Sequence, residues 1–131
     1  MKAIIVDDSF AFRARLKNIL TRSLGITVVA DTNDGREVME LIGRHRPDIL
    51  ILDLVMPIIS GLKVLQELKQ NSVNIMIVVV SNYAEKQVRA ACQKLGAHFV
   101  FDKSTEFEEM IDTIEKLKGS KAPPSSRSER I

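Results

Sequence analysis

Four uninterrupted apolar runs, each closing on polar or charged side chains, constrain this chain more than any other feature. Ile4-Ile5-Val6 ends at Asp7-Asp8, Ile49-Leu50-Ile51-Leu52 at Asp53, Ile75 to Val80 at Ser81, and Phe99-Val100-Phe101 at Asp102-Lys103. Continuous apolar stretches of this length mark strands buried on both faces of a parallel sheet. Such sheets bind their ligands just beyond the carboxyl ends of the strands. Carboxylates from Asp7, Asp8 and Asp53, the Ser81 hydroxyl and the Lys103 ammonium are therefore expected to converge.

Between these runs lie segments with apolar residues at helical spacing, so that strand and helix alternate five times. This is the pattern of a parallel sheet covered on both faces by crossover helices. Strands are expected over 2–7 and 27–30 as well as at the later runs. The first helix is expected over 10–24, with Phe12, Leu16, Ile19 and Leu20 inward. The second opens at Asn33-Asp34, carries Val38, Leu41 and Ile42, and stops before Pro47. Helices three and four are expected over 61–70 and 85–95, the latter closed by Gly96. The fifth is expected to begin at Ser104 or Thr105, with Thr105 and Glu108 as a capping box, and to run to 118. Right-handed crossovers leave few topologies for this pattern. The commonest is the α/β, flavodoxin-like, doubly wound five-stranded sheet of order 2-1-3-4-5. That order puts strands one and three side by side.

With 131 residues and 45% hydrophobic side chains, the chain reads as one domain over 1–118 that needs no disulfide or metal staple. Residues 119–131 lack any apolar period and are expected to be a disordered polar tail or the stub of a linker. The net charge of +2 offers no nucleic-acid-binding stripe. The N-terminus is too short in apolar residues for a signal peptide, and no run is long enough to span a membrane. A soluble, cytoplasmic protein is expected. Cys92 reads as a small packed side chain, His45 and His98 as structural, and Met39, Met56, Met76 and Met110 as core.

Asp7, Asp8 and Asp53 at adjacent strand ends would place like charges within a few ångströms, which opposes ionisation unless something positive intervenes. A hard divalent cation answers this need. Magnesium prefers oxygen ligands and is usually held by one or two carboxylates together with a phosphate. Lys103 adds a fixed positive charge able to pair with Asp53 or with a phosphoryl oxygen, and Ser81 can donate a hydrogen bond to the same group. These are the parts of phosphoryl transfer to a carboxylate nucleophile. Taken singly, each has a plainer reading: Asp7-Asp8 as a helix cap, Asp53 as a turn former, Ser81 and Lys103 as loop side chains. Their joint occurrence at successive strand ends favours a site.

Asp7-Asp8, Asp53 followed by Met56-Pro57 and Gly61, Ser81, and Asp102-Lys103 together resemble the receiver domain of two-component response regulators, over residues 1 to about 117. The resemblance implies that Asp53 is the phosphoacceptor. It makes Asp8 and Asp53 direct magnesium ligands, Asp7 a ligand through water, and the backbone carbonyl of Val55 a further ligand. It gives Ser81 the role of switch hydroxyl and Lys103 that of a phosphoryl contact, and places Val55 and Tyr83 where phosphoryl lifetime is tuned. It implies a histidine kinase or histidine phosphotransfer protein as donor, a downstream protein target, and a stand-alone receiver that catalyses only its own phosphorylation and slow dephosphorylation. Two features depart from the family pattern: Val100 replaces the usual aromatic three residues before the lysine, and Ser104 replaces the usual proline after it. Two rival readings are a magnesium-dependent phosphatase of the haloacid dehalogenase type and a docking module that works without phosphorylation. The former wants a second aspartate where Val55 stands.

Overall fold

The computed structural model describes residues 1–119. Five strands, β1 (Lys2–Val6), β2 (Thr27–Thr32), β3 (Ile49–Asp53), β4 (Met76–Ser81) and β5 (Phe99–Asp102), form one parallel sheet of order β2-β1-β3-β4-β5. The helices are α1 (Phe10–Asn18), extended by a π-helical turn over Ile19–Ser23, then α2 (Val38–His45), α3 (Gly61–Gln70), α4 (Lys86–Lys94) and α5 (Phe107–Lys118). The expected fold and strand order are observed. The tail expected over 119–131 lies, from residue 120 on, outside the described residues.

Strand periodicity of two sorts each run between two cores. Ile4, Val6, Leu50, Leu52, Ile77, Val79 and Val100 point to the face where Val38, Ile42, Val64, Leu65, Leu68 and Cys92 of α2 to α4 pack. Ala3, Ile5, Ile49, Ile51, Val78, Val80 and Phe101 point to the other face, against Leu16 and Leu20 of the first helix and Met110, Ile114 and Leu117 of α5. Central β3 and β4 are buried throughout, which is why their sequences are apolar up to the closing Asp53 and Ser81. Cys92 and Met56, Met76 and Met110 are buried as expected, and Met39 packs against the core. His98 Nδ1 accepts a hydrogen bond from the Ile77 amide, a structural role. Among the described residues no helix is long and apolar enough to cross a membrane.

α1 begins at Phe10 as expected, and the starts of α2 and α5 differ from expectation in instructive ways. Ser9, not the acidic pair, caps α1, its Oγ accepting from the Phe12 amide. Asp34 caps a 3-10 turn, Gly35–Glu37, that feeds into α2. The capping box at Thr105 and Glu108 does not form, and α5 begins at Phe107. The Asp102 carboxylate takes the Ser104 and Thr105 amides instead, and the Glu106 carboxylate accepts from the Asp102 amide. These bonds hold residues 103–106 in a turn and delay the helix.

Candidate functional site

The register of the sheet assembles the site. Val6 pairs with Leu52, Asp53 with Val80, and Ser81 with Asp102, so the polar residues that end each run emerge along one edge. Gly61 closes the turn after β3 directly beneath Asp53, and a Cβ there would lie 2.3 Å from the Asp53 carbonyl oxygen. Only glycine fits that approach.

Asp7, Asp8 and Asp53 each offer a carboxylate oxygen, all within 4.8 Å of one another. Asp7 is fully buried, Asp53 nearly so, and Asp8 exposed. Asp7 Oδ1 accepts from the Ser9 amide at 2.8 Å. Asp7 Oδ2 lies 2.7 Å from Lys103 Nζ, yet the contact lacks hydrogen-bond geometry and leaves that buried oxygen without a directional donor. Lys103 Nζ stands farther from Asp53, 3.6 Å from its Oδ2. The lysine therefore leans on Asp7 more than on Asp53, the carboxylate with which the sequence pairs it.

Burial, with the charge of Asp7 adding to it, pushes the Asp53 carboxyl up to about 7 against the opposing pull of Lys103. The Asp53 carboxylate also receives the Val55 amide at 3.3 Å. Ser81 is buried, and its Oγ accepts from the Tyr83 amide at 3.0 Å, while its carbonyl accepts from the Lys103 amide at 2.9 Å. Val55 and Tyr83 are exposed, on the loops that follow Asp53 and Ser81. All-oxygen donors, a buried oxygen lacking a directional partner and a carboxyl raised by burial and by the charge of Asp7 together suit a hard divalent cation.

Some residues that shape the site escape a sequence reading. Arg13 donates to the Asp7 carbonyl at 2.5 Å and pairs with Asp31, fixing the turn that carries the acidic pair. Phe12 presents its ring to Lys103. Val100 is buried on the α4 side, while Phe99 and Phe101 stack on each other on the opposite face, so neither ring replaces the missing aromatic. Behind Val100 sits Arg89 of α4, which donates to the Ala84 and Val100 carbonyls and to Glu106. No local spacing signals these contacts.

The family model described as the response regulator receiver domain matches residues 3–115. The chain belongs to that family. Response regulator MprA of Mycobacterium leprae is 33% identical over 89% of this receiver and 50% of its own length. Chemotaxis protein CheY of Bacillus subtilis is 28% identical over 88% of the receiver and 95% of its own length. A DNA-binding response regulator of the LuxR family from Staphylococcus aureus superposes with a TM-score of 0.80 at 27% identity, covering 88% of this chain and 97% of that one. The receiver spans about half the length of the first curated relatives, 52% and 48% for two of them. Receivers accept phosphoryl groups from histidine kinases or phosphotransfer proteins, and this membership disfavours the haloacid dehalogenase and docking readings.

Proposed function

We propose that Asp53 accepts the phosphoryl group, with magnesium held by Asp8, Asp53, the Val55 carbonyl and, through water, Asp7. The observation that carries this reading is the gathering of three carboxylates within 4.8 Å around a raised Asp53, with a lysine ammonium alongside. Magnesium, when bound, would neutralise these carboxylates and the oxygens in transfer. Asp53 supplies the attacking oxygen: its P–O bond forms as the donor's P–N bond breaks, and the bond pair leaves with the imidazole, which takes a proton from solvent. Lys103 turns its ammonium toward the arriving oxygens, and Ser81 exchanges its bond from the Tyr83 amide for one donated to the phosphoryl group.

Ser81 and Lys103 stand at the ends of β4 and β5, so their movement would reshape the face formed by α4, β5 and α5. Differential contacts in the two states are what a phosphoryl group needs to shift such an equilibrium. A histidine kinase or phosphotransfer protein would supply the group, and a protein target would read the altered face. The chain would act as a catalyst only toward its own phosphoryl turnover.

Beryllofluoride with magnesium tests the reading as a phosphoryl mimic. Amide signals of residues 53–56, 81–84 and 102–103 should shift in the parent and stay still in Asp53→Asn. Equal shifts in both proteins, or none in the parent, would overturn it.

A further inference from the structure

We infer that Phe12 is a positioning residue for Lys103: its ring face holds the ammonium beside Asp53 while leaving it free to move between partners. Lys103 Nζ lies 4.4 Å from the centroid of the Phe12 ring, on its face. The lysine side chain is only 14% exposed, so its charge has lost most of its water and needs compensation. Asp7 at 2.7 Å and Asp53 at 3.6 Å supply part of it, and the ring quadrupole supplies the rest.

The orientation of the ring is itself fixed by packing. Phe12, on α1, meets Phe107, at the start of α5, edge to face at 5.9 Å and 82°. The Arg15 guanidinium covers Phe107 at 4.2 Å. The first and last helices thus clamp the ring over the lysine, and the late start of α5 brings Phe107 to that place.

The function of such a contact follows from its physics. A long lysine side chain loses much rotamer freedom when confined, and a pre-ordered ammonium avoids that loss during reaction. A hydrogen bond would tie the ammonium to one oxygen. Attraction to a ring face is far less directional, so the ammonium can pass from Asp7 toward a phosphoryl group on Asp53 without leaving the ring. This inference rests on Asp53 being the phosphoacceptor.

The test compares Phe12→Leu, which keeps apolar bulk but removes the quadrupole, with Phe12→Tyr, which retains it. Phosphorylation by acetyl phosphate and magnesium should slow about five- to tenfold in Phe12→Leu and recover in Phe12→Tyr. In a Lys103→Gln background the Leu exchange should cause no further slowing, because the ring acts through the lysine. Ring-current shifts of the Lys103 ε-methylene protons supply an independent readout, present in the parent and Phe12→Tyr and lost in Phe12→Leu. A parent that takes up no phosphate overturns the proposed function and this inference with it. A phosphorylated parent matched in rate by Phe12→Leu overturns this inference alone. So does equal slowing by Phe12→Leu with and without Lys103, or methylene shifts that ignore the ring.

Discussion

Asp53→Asn should stabilise the metal-free protein, and by an amount that grows with pH. The Asp53 carboxyl titrates at about 7 in the folded chain against 3.8 as its ordinary value, with burial the largest cause and Asp7 the next. The sign follows from proton counting. Between the two values the folded state holds a proton that the unfolded state has released, so raising the pH favours unfolding. The loss runs at about 1.4 kcal/mol per pH unit, hence about 3 kcal/mol between pH 5 and 7, and it levels off above. Movement of the Lys103 ammonium and of water toward the charge will lower that figure, so a gain of about 1 to 3 kcal/mol is expected for the amide, relative to its effect at pH 5. Urea denaturation of both proteins in EDTA at pH 5 and pH 8 measures it. Magnesium should narrow the difference at pH 8, because a ligand of the native parent stabilises it by mass action. An Asn variant whose advantage is the same at both pH values, or absent at pH 8, would refute the reasoning.

The exposed carboxylate of Asp8 should matter more to magnesium than buried Asp7, which would bind only through water; calorimetric titration of Asp8→Ala and Asp7→Ala should show the larger loss for Asp8, and equal losses would contradict it. Gly61→Ala should destabilise by about 2 kcal/mol or more, since its Cβ would strike the Asp53 carbonyl oxygen at 2.3 Å; an unchanged urea midpoint would show that the turn can yield. Neither Val55 nor Tyr83, both exposed on the loops after Asp53 and Ser81, can position a hydrolytic water as an amide or carboxylate would. Val55→Asn with Tyr83→Glu should therefore shorten the phosphoryl half-life more than either exchange alone. A double variant no faster than the parent would remove water access as the limiting factor.

What was legible in the sequence was whatever burial imposes locally. β3 and β4 are covered on both faces, so their residues had to be apolar without interruption, and the polar residues closing them stood out as strand ends. The convergence of Asp7, Asp8, Asp53, Ser81 and Lys103 followed from topology alone, because parallel strands deliver their ends to one edge. The start of α5 was misread because Thr105 and Glu108 match a capping pattern, whereas Asp102 had already claimed the amides and Glu106 was held by Arg89. The hold on Glu106 depends on Arg89 of α4, which no local pattern contains. The same holds for Lys103, whose lean toward Asp7 and whose seat on Phe12 arise from the meeting of α1, β1 and β5.

Mass spectrometry after incubation with acetyl phosphate and magnesium tests the central claim most directly. The account predicts a mass gain of one phosphate in the parent, mapped to Asp53, abolished by EDTA and absent from Asp53→Asn. A parent that gains no phosphate, or an Asn variant that gains it equally, would contradict it.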